Sequence, residues 1–147
     1  SRFLVSADGA EVTDSHNGLI WRRCSEGLRH EGNSVDGELL ILNHAAAQAY
    51  AAQVAEQTGQ GWRLPTVEEL AGLVDRSYAN PAINPKIFPA TPSKWFWTAS
   101  PRLANTQNAW SVGFNYGYLS YVSRTNTLAV HLVRDGPAPQ TTEPASA

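Results

Sequence analysis

Residues 109–134 read Ala-Trp-Ser-Val-Gly-Phe-Asn-Tyr-Gly-Tyr-Leu-Ser-Tyr-Val-Ser-Arg-Thr-Asn-Thr-Leu-Ala-Val-His-Leu-Val-Arg. Short apolar or alternating runs, Ala109 to Phe114, Gly117 to Ser123 and Thr127 to Arg134, are separated by Asn115-Tyr116 and by Arg124-Thr125-Asn126. Links of that length join neighbouring antiparallel strands, so the three runs are expected to form a meander. Just upstream, Trp95-Phe96-Trp97-Thr98 reads as a further strand. The carboxyl-terminal half is therefore a sheet rich in aromatic rings.

Working back from this sheet, Ser77 to Ser93 holds Pro81, Pro85, Pro89 and Pro92 and cannot continue a helix. Ile83, Ile87 and Phe88 give this long loop apolar anchors, so it reads as irregular but ordered. Before it, Thr66 and Glu69 make a capping box that opens a short helix, with Val67, Leu70, Ala71 and Val74 on one stripe. A longer helix is capped by Asn43 and ended by Gly59, with Ala47, Tyr50, Ala51 and Val54 facing a core. The polar span Cys24 to Gly37 reads as a surface loop. Arg2 to Ser6, Ala10 to Asp14 and Leu19 to Trp21 read as three strands around the turns Asp8-Gly9 and Asn17-Gly18. The order is that of an α+β domain, two helices packed on antiparallel sheets with a long Pro-rich loop.

The whole chain has 147 residues, 42% of them hydrophobic and fourteen of them aromatic, which excludes a disordered regulator and favours one packed core. Residues 1–136 are expected to form that domain and 137–147 a Pro/Thr/Ala tail. No apolar run approaches the roughly 18 residues that span a bilayer, so no direct membrane insertion is expected. The net charge of −2 conceals a division. Residues 1–75 carry eleven acids and five bases, whereas residues 76–134 carry six bases and no acid. A nucleic-acid partner is disfavoured by the overall balance, but a surface drawn from the second half can attract an anion. Sparse charges on a solvated surface give the same count.

Catalytic signatures are missing: no Gly-x-Ser-x-Gly elbow, zinc helix or phosphate loop occurs. Cys24 is the single cysteine, and its spacing from His16, His30 or His44 supports no nucleophile and base. Glu68 and Glu69 are adjacent on a helix and face different ways. No enzyme activity, no cofactor and no metal site are expected, since calcium needs a cluster of oxygen ligands and residues 76–134 hold no carboxylate.

The candidate binding residues lie in the meander: Asn115, Tyr116, Tyr118, Ser120, Tyr121, Ser123, Arg124 and Asn126, joined by Lys94 and Trp95. Tyrosine offers a large amphipathic contact at little entropic cost, and Ser and Asn offer adaptable hydrogen bonds. Tyr is equally a good residue for a half-exposed strand. Trp21, Trp62, Trp97 and Trp110 are expected in the core and Trp95 at the surface. Arg63 and Arg134 are expected in structural ion pairs.

Several words in fixed order sharpen the reading: Gly18-Leu19-Ile20-Trp21, Trp62-Arg63-Leu64-Pro65-Thr66 with Glu69-Leu70, Asn80-Pro81-Ala82-Ile83, Trp95-Phe96-Trp97-Thr98-Ala99-Ser100, Ala109 to Phe114, and Val130-His131-Leu132-Val133-Arg134. Over residues 2–136 the chain resembles the DUF1566 family, also called the Lcl C-terminal domain. The resemblance implies a C-type lectin-like fold whose termini share a sheet. It also implies a bacterial surface or extracellular location, and an adhesin-like role in binding a glycan or a protein on another cell or surface. The glycan is anionic in the sharper version. Related folds imply a further role, a variable receptor-binding protein of a diversity-generating retroelement, and the aromatic face, if it packs against a neighbour, gives another, a structural subunit of a surface filament or phage-like particle. A homo-oligomer fits the filament role. Members often have a second cysteine after the position of Cys24 and an arginine at that of His131; here that disulfide is lost and an anion contact at 131 is in doubt.

Overall fold

The structure, a computed structural model, describes residues 2–32 and 34–137. Of the expected tail, residues 138–147 lie outside the described residues. The architecture is α+β, with two helices and three sheets among the described residues.

Strands β1 (Phe3–Val5), β2 (Glu11–Asp14), β3 (Leu19–Arg22) and β11 (Val133–Asp135) form one antiparallel sheet in the order β1-β2-β3-β11, so the first and last strands share a sheet. A second sheet has the order β6-β10-β7-β8-β9, built from β6 (Ile41–Leu42), β7 (Trp95–Pro101), β8 (Asn108–Gly113), β9 (Tyr118–Ser123) and β10 (Leu128–Ala129). The span Cys24 to Gly37 is more than a loop. It folds into a hairpin of its own, β4 (Leu28–Glu31) with β5 (Ser34–Gly37). Neither strand buries a residue fully, so no hydrophobic alternation marks them in the sequence.

The expected meander of the last three strands is corrected. The sequential antiparallel strands are β7, β8 and β9, with β9 at the edge. After β9 the chain crosses the sheet, and β10 pairs antiparallel with β6 and parallel with β7. The run Thr127 to Arg134 is then shared between two sheets, because β11 pairs with β3. Physically, residues 129–133 are buried without a break, and a continuous apolar run suits a segment covered on both sides rather than a half-exposed hairpin strand. Backbone bonds from Glu26 N to Val130 O and from Arg22 N to Leu132 O hold it between the sheets.

α1 (His44–Thr58) and α2 (Val67–Ala71) both form at the caps expected of them. Asn43 Oδ1 accepts from the Ala46 amide, and Gly59 closes α1 in the left-handed region. Thr66 and Glu69 make the reciprocal capping box of α2. α2 ends at Ala71, so Val74 lies beyond it but still packs against the core, in which Leu73 is buried.

β7 occupies the middle of its sheet, and its period of two sends Phe96 and Trp97 into different clusters. Phe96 packs with Val12, Trp21, Leu70 and Phe88, while Trp97 packs with α1 through Ala47, Ala51 and Val54. The Pro-rich loop is anchored by buried Ile83 and Phe88. His131 sits in the core with its ring against Trp21, Phe88 and Phe96, and its Nε2 bonds to the Arg22 carbonyl. That nitrogen donates, because a carbonyl oxygen only accepts. His131 is thus a packing residue. Arg63 grips Glu69 with two bonds of 2.8 and 2.9 Å and also reaches Asp135, and Arg134 pairs with Glu11, so both arginines are structural.

Candidate functional site

Strand β9 carries the exposed aromatic surface. Tyr116, Tyr118, Leu119 and Tyr121 are 62%, 60%, 46% and 40% exposed, half of the exposed large hydrophobic residues among those described. Gly117 makes the turn into β9 possible. Its φ is +81°, and a Cβ there would come within 2.5 Å of a Val74 methyl.

Alternation along β9 splits the rings. Tyr118 and Ser120 share one face, and Leu119, Tyr121 and Ser123 the other. On the first face, register places Trp95, Gly113 and Tyr118 in one row. Trp95 lies over Gly113 so closely that a Cβ would meet its ring at 2.8 Å. The Tyr116 and Tyr118 rings are 6.3 Å apart, and the Arg76 guanidinium is 5.9 Å from the Tyr118 ring. On the second face, Tyr121 stands edge-on to Trp110 at 5.4 Å, and the Arg102 guanidinium stacks 3.7 Å over its ring.

The other candidates fall at the two ends of this strip. Asn115 shapes the turn, its Oδ1 accepting from the Tyr116 amide and its carbonyl from the Asn80 amide. Ser120 is half-buried, and its carbonyl accepts from Ser111 Oγ. Ser123 and Asn126 spend their polar groups on the turn after β9, where the Ser123 carbonyl accepts from Asn126 Nδ2. Arg124 leaves the strip for the start of α1, where its carbonyl accepts from the His44 amide. Lys94 is exposed just before β7 and lines a depression together with Trp95, Ile41 and Leu128. The structure therefore joins Trp95 with Tyr118 and Tyr116 on one face and with Lys94 in a neighbouring depression, and sets Tyr121 and the Ser123–Asn126 turn apart.

Two expectations about tryptophan change. Trp95 is half-buried over Gly113 rather than at the surface, and Trp110 is half-buried beside Tyr121 rather than in the core. Trp95 is covered on one side by Gly113, and Trp110 is flanked by the exposed Tyr121, so each ring keeps part of its surface open. Arg76 and Arg102 were legible only as two of the scattered bases. Nothing local in the sequence places their guanidinium groups on tyrosines.

A second concavity lies between the β4–β5 hairpin and α1, about 400 Å³, lined among others by Arg22, Cys24, Glu26, His30 and Tyr50. Glu26 is buried, accepts from Tyr50 Oη at 2.7 Å and lies 3.8 Å from Arg22. Burial pushes its carboxyl above the usual range, and burial followed by the Glu26 bond pushes the Tyr50 hydroxyl up. Cys24 is unpaired, and burial raises its thiol, which is the reverse of an activated thiolate. Among the described residues, no group of three His, Cys, Asp or Glu side chains is placed to hold a metal ion.

A search of curated proteins finds no match for the chain. The family model of the Lcl C-terminal domain matches residues 10–134, from β2 through β11. With that span of the chain accounted for, the protein belongs to the Lcl C-terminal domain family.

Proposed function

We propose that this domain is a non-catalytic binding module of C-type lectin-like fold, displayed outside a bacterial cell, that holds a glycan or a protein through β9 and its flanking turns. The observation that carries the reading is the run of solvent-facing rings on one edge strand, each face backed by a guanidinium: Arg76 near Tyr118, and Arg102 on Tyr121. An aromatic ring covers the apolar face of a sugar while its hydroxyl reaches the rim, and an adjacent arginine answers a negative group. β9 and its neighbours β7 and β8 all lie within residues 76–134, which hold no carboxylate, and this favours an anionic glycan.

Retention on a heparin column and binding to a glycan array test it. The variant Tyr118→Ser/Tyr121→Ser with Arg102→Gln is expected to elute at clearly lower salt than the parent while its thermal midpoint stays close. Equal retention of parent and variant rejects this surface as the binding face. A second reading, a filament or particle subunit, is favoured by the position of β9, whose outer backbone edge is unpaired among the described residues and whose Leu119 is exposed. Light scattering separates the two, since stable oligomers lost on mutating Leu119 and Tyr121 support assembly.

A further inference from the structure

Where β9 ends, the chain meets the beginning of α1, and the groups gathered there share one sign. A depression of about 320 Å³ is lined by Asn43, His44, Ala45, Gln48, Arg124 and Thr125. α1 is fifteen residues long, with no acidic residue in its first turn. Its amino-terminal end therefore carries the positive end of the helix dipole without a compensating side chain. The amides of His44, Ala46 and Ala47 are taken by Arg124 O, Asn43 Oδ1 and Asn43 O, whereas that of Ala45 has no partner among the described residues.

Arg124 makes no ion pair among the described residues, and its Nε is buried without a hydrogen-bond partner. A half-buried guanidinium beside a positive helix end is unfavourable unless an anion joins it. His44 supplies an independent sign. It is fully buried, its ring stands edge-on to Trp97 at 5.0 Å, and its Nε2 donates to the Thr98 carbonyl at 2.9 Å. Its Nδ1 is buried with no partner. With Nε2–H committed, Nδ1 becomes a donor only when the ring takes a second proton.

We propose that the amino-terminal end of α1 is an oxyanion site, in which Arg124 and the Ala45 amide hold a sulfate or phosphate group and His44 takes up a proton as the anion binds. Sulfate and phosphate monoesters share the needed chemistry, a compact tetrahedral group with several acceptor oxygens. Without the anion, burial and the charge of Arg124 make a second proton on His44 less favourable, the bond to the Thr98 carbonyl opposing them only in part. The neighbours facing it from β7, Trp97 and Thr98, and Gln48 from α1, carry no charge, so Arg124 is the only charged group acting on the ring among the described residues. An anion bound to Arg124 cancels that repulsion and welcomes the second proton, so affinity rises as the pH falls. The inference deepens the binding-module reading and rests on it only for what carries the anion.

Amide NMR of the full chain, titrated with sodium sulfate against sodium chloride of equal ionic strength, tests the site. Saturable shifts are expected at the Ala45 and Ala46 amides and at the Arg124 Nε–H. Binding is expected to be several-fold tighter near pH 5.5 than near pH 8, and at least about tenfold weaker in Arg124→Gln. Should that variant fold poorly, the imidazole Cε1–H of His44 in the parent gives the same answer, its titration moving upward with sulfate. Shifts that do not saturate, that survive Arg124→Gln or that ignore pH overturn the proposal. N-acetylglucosamine 6-sulfate and 6-phosphate, titrated separately, tell a sulfated sugar from a phosphorylated one. Tyr118→Ser/Tyr121→Ser is expected to keep sulfate binding; loss of heparin retention there, with sulfate still bound, assigns the two surfaces separately.

Discussion

His131 is the group whose burial makes the sharpest prediction. Its ring is fully enclosed by Trp21, Phe88 and Phe96, and burial drives its pKa from the ordinary 6.5 down to about 4, the bond to the Arg22 carbonyl opposing this only in part. In the unfolded chain the imidazole titrates normally, so between pH 6.5 and 4 the unfolded state binds more protons and stability rises with pH. The contribution is complete above about pH 6.5 and is lost as the solution is acidified toward 4. Integrated, the loss relative to pH 8 is roughly 1–2 kcal/mol at pH 5.5 and about 3 kcal/mol at pH 4. At the smaller value the thermal midpoint falls by roughly 3–6 °C.

Other groups enter in known directions. His44 is lowered by burial and adds to the same slope. Asp14, whose burial is outweighed only by the Arg2 bond, the His16 amide bond and the neighbouring positive charge taken together, and Glu69, lowered by Arg63, sit below their ordinary values, so their contributions go only as the pH falls below the normal carboxylate range. Glu26 is raised by burial and therefore opposes the trend, gaining stability as its carboxyl protonates. Isolating His131 needs a variant. His131→Leu removes the titration, and it costs about 1–3 kcal/mol at all pH values because the Arg22 carbonyl loses its donor. Urea unfolding followed by tryptophan fluorescence near pH 8 and 5.5 gives the two slopes. The parent is expected to lose roughly 1–2 kcal/mol more than the variant over that interval. Equal losses in both, or an NMR pKa of His131 above about 6 in the parent, refute the reasoning.

Two further outcomes are expected. Gly113→Ala places a methyl 2.7 Å from Asn115 Oδ1 and 2.8 Å from the Trp95 ring, so Trp95 must move; a loss of about 1–3 kcal/mol and a changed tryptophan spectrum are expected in chemical unfolding, and an unperturbed Trp95 would contradict the packing. Cys24 has a thiol raised by burial, so its alkylation by iodoacetamide near pH 7 is expected to run slower than that of a free thiol and to accelerate with pH; rapid labelling at neutral pH would reveal an activated thiolate.

Local chemistry was legible before any coordinates. Asn43 and Gly59 bound α1, and Thr66 with Glu69 opens α2, because caps satisfy backbone groups within a few residues of themselves. The α+β class followed from the same local signals, and the rings on β9 were legible as candidates because Tyr, Ser and Asn crowd residues 115–126. What the sequence alone did not settle was the partner of each strand. Thr127 to Arg134 reads as one strand of a hairpin, yet it serves two sheets, since pairing depends on where β6, β7 and β3 already lie. For the same reason only the tertiary structure decided that Tyr118 and Tyr121 face apart, that Arg102 stacks on one of them, and that Arg124 abandons the strip for the end of α1. Caps and periods act over a turn or a strand, whereas the side of a sheet a residue meets is set by chain segments tens of residues away.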